Sequence, residues 1–135
     1  MLYKEIFMKT VGLITEYNPF HNGHLYHIER AKELTGADRV VIVMSGDYVQ
    51  RGTPALLSQA FPCAYGTSKR RIGYLRAPVC YASGSAEFFA QGAISILEGL
   101  GCIDTLCFGS ECGELLFYSI LHSCFSPNQI LTAIC

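Results

Sequence analysis

Two histidines close together in the chain, His21 and His24, have the residue type and spacing to act on an anion. At the start of a helix, side chains three residues apart share a face, and the unpaired backbone N–H groups there favour a phosphate. Gly23 between them would let a bulky ligand approach the backbone closely. Two imidazoles so placed can donate hydrogen bonds to phosphate oxygens and stabilise charge on an α-phosphate as pyrophosphate leaves.

A purely structural role is the alternative for this pair, with one histidine capping a helix and the other filling a gap. The position of the motif, directly after a predicted strand and before a predicted helix, favours the phosphate site. A zinc site is disfavoured, because two histidines need at least one more ligand and no Cys or Asp motif of matching spacing is present. No metal-binding residues are therefore predicted.

The elements that would position the histidines follow from the apolar pattern. Residues 10–14 and 40–44 are apolar runs without alternation, which is typical of parallel strands covered on both faces. Residues 24–35 have apolar side chains at helical spacing, and Gly36 follows as a stop. The result is a right-handed βαβ unit in which the polar turns after the strands lie at one edge of the sheet.

The second half of the chain continues the same alternation. Residues 85–100 predict a helix ended by Gly99 and Gly101, and residues 105–108 predict a third strand. Strands that alternate with helices in this way predict an α/β fold with a parallel sheet.

Composition limits the class of protein. Of 135 residues, 50% are hydrophobic and 16% are charged, and the formal net charge is −1. These values predict one folded domain and exclude both disorder and a generally cationic surface for nucleic acid. The apolar excess indicates that a further segment or partner packs against the chain. No stretch resembles a membrane span or a signal peptide, so a cytoplasmic protein without membrane contact is expected.

The chain has seven cysteines, an odd number without a Cys-x-x-Cys pair. In a cytoplasmic protein most of them are expected to be free and buried as small hydrophobes, including Cys80 and Cys107 within their apolar runs.

Four ordered blocks of sequence carry a resemblance to a known family. They are residues 14–27, 44–55, 78–90 and 108–111, and they cover most of the range 9–113. They resemble the tRNA(Met) cytidine acetate ligase family of the His-x-Gly-His nucleotidyltransferase superfamily. The resemblance implies a Rossmann-like parallel sheet of the nucleotidyltransferase type.

The resemblance also implies a reaction. ATP and acetate would give acetyl-adenylate and pyrophosphate, and the acetyl group would pass to N4 of the wobble cytidine of elongator tRNA(Met). ATP, accompanied by Mg²⁺, would be the cofactor, with acetate and elongator tRNA(Met) as partners. His21 and His24 would be the catalytic residues at the phosphates. The full ATP-binding set implied is Ile14, Thr15, Glu16, Tyr17, Asn18, Pro19, Phe20, His21, Asn22, Gly23, His24, Leu25, Tyr26, His27 and Gly109.

Asp47 and Arg51, on the turn after the second strand, are candidates to face a phosphate or the small acid. A solvated surface charge is the alternative for Arg51. For the whole chain, one alternative is a small-molecule adenylyltransferase of the same superfamily, such as a pantetheine-phosphate type. Those enzymes lack the segment that precedes His21 here and the turn at 45–52. The other alternative is a non-catalytic product of a frame-disrupted gene.

The sequence departs from the family in three respects. Residues 59–77 show no helical periodicity where the family has a basic helix and then a strand; two compensating frame shifts would remove both elements. Residues 114–135 form an apolar tail unlike the family's continuation, and residues 1–8 are an N-terminal extension. Family members are several hundred residues long, so the chain resembles an N-terminal fragment. The expected organisation is an extension at 1–8, an ATP-binding domain at 9–113 with an atypical segment at 59–77, and a tail at 114–135.

Overall fold

A computed structural model describes residues 8–56, 71–109 and 130–134. The strands in this part of the chain are β1 (Thr10–Thr15), β2 (Arg39–Met44), β3 (Ile72–Arg76), β4 (Thr105–Gly109) and β5 (Ile130–Ile134). The helices are α1 (Asn22–Thr35), α2 (Val79–Ala82) and α3 (Ala86–Leu100), and Gln50–Gly52 forms one turn of 3₁₀ helix. The strands form one sheet in the order β3-β2-β1-β4-β5, and every pair is parallel. The predicted α/β fold with a parallel sheet is confirmed.

Both faces of the sheet are covered, which explains why the central strands are continuous apolar runs. Ile42 of β2 is fully buried in a cluster with Ile28 and Ala31 of α1. Its neighbour Val43 is buried in a second cluster with Leu97 of α3. Consecutive residues of β2 therefore face different helices, so both must be apolar.

The helix ends match their capping residues. α1 begins two residues earlier than its apolar spacing predicts, because His21 caps it, and it ends at Gly36 in the left-handed conformation with φ 64°. The Ser85 side chain accepts from the backbone N–H of Phe88 at the start of α3. Gly101, with φ 65°, ends α3, whereas Gly99 lies inside the helix rather than stopping it.

Two strands were not predicted from the sequence. β3 pairs with β2 from Val40–Ile72 to Met44–Arg76, so the hypothesis that a strand is missing from 59–77 is wrong. β3 has β2 as its neighbour on one side, and several of its residues are partly or fully exposed, so it carries no apolar run. β5 pairs with β4 inside the segment 114–135. Residues 59–70, 114–129 and 135 lie outside the described residues.

The described cysteines divide between core and surface. Cys107 is buried in β4 as predicted, and burial raises the pKa of its thiol to about 11. Cys80 and Cys102 are exposed, which contradicts the expectation for Cys80, because the short helix α2 covers the sheet with Ala82 instead. Among the described residues, no helix has the length and apolarity needed to cross a membrane.

Candidate functional site

Residues 16–24, which comprise the loop after β1 and the first residues of α1, are called the histidine loop below. His21 has an extended backbone, with φ −143° and ψ 175°, and is the N-cap of α1. Its Nδ1 accepts from the backbone N–H of Gly23 at 3.1 Å, and its own N–H donates to Nδ1 of His24 at 3.3 Å. This reciprocal pair is a capping box in which histidines stand where Ser or Thr and Glu or Gln are usual. Both histidines therefore hold the start of the same helix.

These hydrogen bonds assign the proton-bearing nitrogen of each ring. In a neutral imidazole one nitrogen donates and the other accepts, so a ring that accepts at Nδ1 carries its hydrogen on Nε2. Among the described residues, no group accepts from Nε2 of His21 or of His24. In the part of the chain that the structure describes, both Nε2–H groups thus remain available to a ligand, so capping the helix does not exclude binding phosphate.

Aromatic contacts hold the His24 ring in place. The His21 and His24 rings stack with centroids 3.8 Å apart and an interplanar angle of 28°, so the predicted common face is confirmed. Tyr17, which is buried, lies with its centroid 4.5 Å from that of His24, and Phe20 meets Tyr17 edge-on at 4.9 Å. His24 is thus packed between an imidazole and a phenol, which fixes the direction of its donor.

The same surroundings keep His24 neutral. Partial burial, then the neighbouring His21 and His27, lower its pKa from 6.5 to about 4. Burial also lowers the pKa of His27 and raises that of Tyr17. At neutral pH, His24 is therefore the uncharged, Nε2-protonated form that the hydrogen bonds require.

Gly23 has a structural reason to be glycine. A Cβ at this position would lie 2.9 Å from Cε1 and 3.0 Å from Nδ1 of His21. Glycine at this position thus makes room for the His21 ring, and the expectation that it also admits a ligand to the backbone stays a prediction.

The positive end of α1 faces this site without compensation. The first turn of α1 contains no acidic residue. The dipole of α1 therefore favours an anion at the same place as the two imidazole donors.

The other residues of the predicted ATP-binding set lie on β1, the loop after it, α1 and β4. Ile14 and Thr15 end β1, the residues from 16 to 20 form the loop, and those from 22 to 27 form the first turns of α1. Gly109 ends β4, two residues beyond the Leu13–Cys107 pair, and so is level with Thr15 at the same edge of the sheet. His27 lies deeper than His24: its Nε2 is buried and has no hydrogen-bond partner among the described residues.

The turn that carries Asp47 and Arg51 lies beside the histidine loop. It is called the β2 loop below and comprises residues 45–56. The Asn18 side chain accepts from the backbone N–H of Leu56 at 2.7 Å, which joins the two loops directly. Asp47 is 3.7 Å from Arg76 at the end of β3. Arg76 adjoins the site and was not predicted from the sequence. It could have been found if β3 had been recognised, because the carboxyl ends of neighbouring parallel strands lie at the same edge of the sheet.

Comparison with known proteins identifies related chains. The model of the family described as HIGH Nucleotidyl Transferase matches residues 8–132, a range that includes the segment 59–77 and most of the tail. A tRNA(Met) cytidine acetate ligase of Acetivibrio thermocellus is 49% identical over 108 residues, which are 80% of this chain and 26% of that protein. The protein of the same name from Caldicellulosiruptor saccharolyticus is 47% identical over 124 residues, 90% of this chain and 31% of that one.

A solved structure shares the fold. Thermotoga maritima TmcAL, in a crystal structure bound with α-thio ATP, is 41% identical with a TM-score of 0.71, over 82% of this chain and 27% of that one. The present chain thus spans between a quarter and a third of the length of the curated relatives it matches.

Proposed function

Because this chain belongs to the HIGH nucleotidyl transferase family, we propose that it binds ATP at His21 and His24 and activates acetate as acetyl-adenylate. The observation that carries the proposal is the pair of Nε2–H donors at the positive end of α1, for which the described residues supply no acceptor. A triphosphate needs several fixed donors and a positive potential at one place, and this arrangement supplies both.

The chemistry asked of the site is modest. A carboxylate oxygen of acetate attacks the α-phosphorus of ATP, an O–P bond forms, and the bond from that phosphorus to the pyrophosphate oxygen breaks. Negative charge moves onto the phosphate oxygens during this step, and positioned neutral donors stabilise it without transferring a proton. His21 and His24 would serve as these donors.

The whole protein would use the adenylate on RNA. The curated relatives are named for cytidine acetylation of tRNA(Met), and TmcAL was solved with an ATP analogue. We propose that the longer protein passes the acetyl group to N4 of the wobble cytidine of elongator tRNA(Met), in the cytoplasm. This chain would correspond to its N-terminal, ATP-binding part.

Mg²⁺ would enter this site with the nucleotide. Within the described part of the chain, no group of three His, Cys, Asp or Glu residues is placed to hold a metal ion. The phosphates of ATP would therefore be the principal ligands of the ion, and the histidines would bind the phosphate oxygens that the ion leaves free.

Nucleotide-dependent stabilisation tests the proposal. ATP is expected to raise the melting temperature of the chain, and the His21→Ala, His24→Ala double variant is expected to lose this shift because both donors are gone. Arg30→Gln is the matched control, since Arg30 lies further along α1 in an exposed ion pair with Glu33.

Pyrophosphate release shows whether acetate or phosphopantetheine is the substrate that reacts with ATP. Acetate is expected to support ATP–pyrophosphate exchange, whereas phosphopantetheine is not. An equal ATP shift in the double variant would refute the histidine site. Pyrophosphate release with phosphopantetheine alone would instead identify a small-molecule adenylyltransferase.

A further inference from the structure

The β2 loop is a closed structure rather than an open turn. Tyr48 pairs with Pro54 in an antiparallel bridge, and the N–H of Ala55 donates to the carbonyl of Asp47 at 2.8 Å. Within this ring the N–H of Val49 donates to the carbonyl of Thr53 at 2.9 Å. The loop therefore presents its tip, residues 50–52, as a unit.

Long-range hydrogen bonds fasten the loop at its base and its tip. At the base, Leu56 donates to the Asn18 side chain of the histidine loop. At the tip, the N–H of Arg51 donates to the carbonyl of Gly84, in the turn between α2 and α3, at 3.4 Å. The β2 loop is thus fastened to the histidine loop through Leu56 and to the turn between α2 and α3 through Arg51.

Arg51 adopts a backbone conformation that a non-glycine residue rarely takes. Its φ is 62° and its ψ is 19°, and Gly52 follows with φ 74°. A left-handed backbone is unfavourable for a residue with a Cβ, and such strain persists only where the surroundings impose it. The bridge and the bond to Gly84 impose it here.

The β2 loop has one cationic side chain, that of Arg51, which could bind a ligand. Asp47 pairs with Arg76, whereas the exposed Arg51 side chain makes no ion pair with any described residue. A guanidinium binds a carboxylate through two parallel hydrogen bonds, which suits a small acid with no other polar group.

The order of the strands separates the two reactants. β1 lies between β4 and β2, so Gly109 and the β2 loop are on opposite sides of the histidine loop. A nucleotide that lies between the histidine loop and Gly109 leaves the β2 side for the attacking group. Arg51 is on that side.

Resting on the function proposed above, we propose that the β2 loop is the carboxylate subsite, in which Arg51 binds the acid and Asn18 positions the loop. The carboxylate oxygen that does not attack would stay on the guanidinium. The other oxygen would face the α-phosphate held at the histidines.

The test measures acid and nucleotide separately. Binding of acetate to the chain is followed by saturation-transfer NMR of its methyl group, in the presence of saturating α,β-methylene-ATP, which cannot release pyrophosphate. Calorimetry gives the affinity for the nucleotide analogue. Arg51→Gln is expected to lower the affinity for acetate about tenfold, because a charged hydrogen-bonding partner is lost. Its affinity for the nucleotide analogue is expected to stay within about twofold of the wild type.

Three further variants complete the test. Arg51→Lys, which keeps the charge, is expected to retain part of the acetate affinity. Asn18→Ala is expected to lower the affinity for acetate more than the affinity for the nucleotide analogue, because the β2 loop loses its hydrogen bond to the histidine loop. Arg30→Gln is expected to match the wild type in both measurements, and melting curves verify that each variant is folded.

Each result that contradicts the subsite is distinct. A tenfold loss of nucleotide affinity in Arg51→Gln with acetate unchanged would make Arg51 a phosphate ligand, and no change in either would make it a solvated charge. Failure of the wild-type chain to bind the nucleotide analogue would overturn the proposed function itself, and the subsite with it.

Discussion

The histidine loop and the β2 loop lie side by side at the carboxyl edge of the sheet, yet they are held by different kinds of contact. In the histidine loop, the hydrogen bonds that orient His21 and His24 span two or three residues. In the β2 loop, the bonds to Asn18 and Gly84 span more than thirty residues. The geometry of a site assembled locally can be predicted from a short stretch of sequence. For a loop fastened by distant partners, the sequence names candidate residues such as Arg51 but does not predict what the loop lies against.

Because the contacts of the histidine loop are local, single substitutions there should affect helix capping and ligand binding separately. His24→Glu should keep the capping box, because Glu is a usual residue at that position and suits a helix start. It should lower ATP affinity about 100-fold, since a donor is replaced by a negative charge beside the phosphates. Calorimetry and thermal unfolding of the same variant measure the two effects. Unchanged ATP affinity would show that His24 only caps α1.

His21→Asn makes the same separation at the N-cap. Asn is among the best N-cap residues, so melting temperature should be nearly unchanged, but the Nε2–H donor is lost. ATP affinity should fall about tenfold, the value of one charge-assisted hydrogen bond. His21→Ala is the paired control, which should lose both affinity and stability. Equal melting temperatures for the two variants would contradict the capping role.

The pH dependence of stability tests the environment of His24. Its folded pKa of about 4 lies below the ordinary 6.5, so between these values the unfolded chain binds more protons. The free energy of unfolding should therefore fall as pH is lowered from 6.5 towards 4. Denaturant unfolding at several pH values should show a shallower fall in His24→Gln. An identical slope in that variant would assign the effect to other groups, of which His27 is the first to examine.

The left-handed backbone at Arg51 should make this position of the β2 loop respond to substitution differently from a helical position in α1. Because φ is 62°, a β-branched residue should fit worse than glycine, and Arg51→Val should unfold with about 1 kcal/mol less free energy than Arg51→Gly. Chemical denaturation of the two variants measures the difference. The same pair of substitutions at Arg30, inside α1, should give the opposite order, since glycine is the poorer helix former.

Ser45 at the start of the β2 loop should give the smallest effect. Its side chain is fully buried, and its Oγ has no hydrogen-bond partner among the described residues. Removing an unpaired buried hydroxyl removes a desolvation cost, so Ser45→Ala should leave stability unchanged or raise it by less than about 1 kcal/mol. A clear loss of stability on denaturation would reveal a partner for that hydroxyl.

Much of the fold was predicted from the sequence, because its central strands and main helices carry strong periodic patterns. β1, β2 and β4 are apolar runs, and α1 and α3 have capping residues at both ends. β3 was missed because an exposed glycine and arginine interrupt its pattern, and β5 because its apolar residues lie in a tail that is apolar along most of its length. β3 and β5 form strands because neighbouring strands pair with them, rather than because their own residues strongly favour a strand.

The sequence by itself determined that a strand, a two-histidine turn and an amphipathic helix follow one another, and that the turn suits a phosphate. It could do so because capping and periodicity act over a few residues. Only the tertiary structure decided that Nδ1 of each histidine is occupied, that Gly23 makes room for His21, and that the β2 loop lies beside Asn18. The first two features depend on the orientation of the His21 and His24 rings, which residue types and spacing do not specify. The third depends on a contact between distant segments, which exists only after the sheet has brought the carboxyl ends of its strands to one edge.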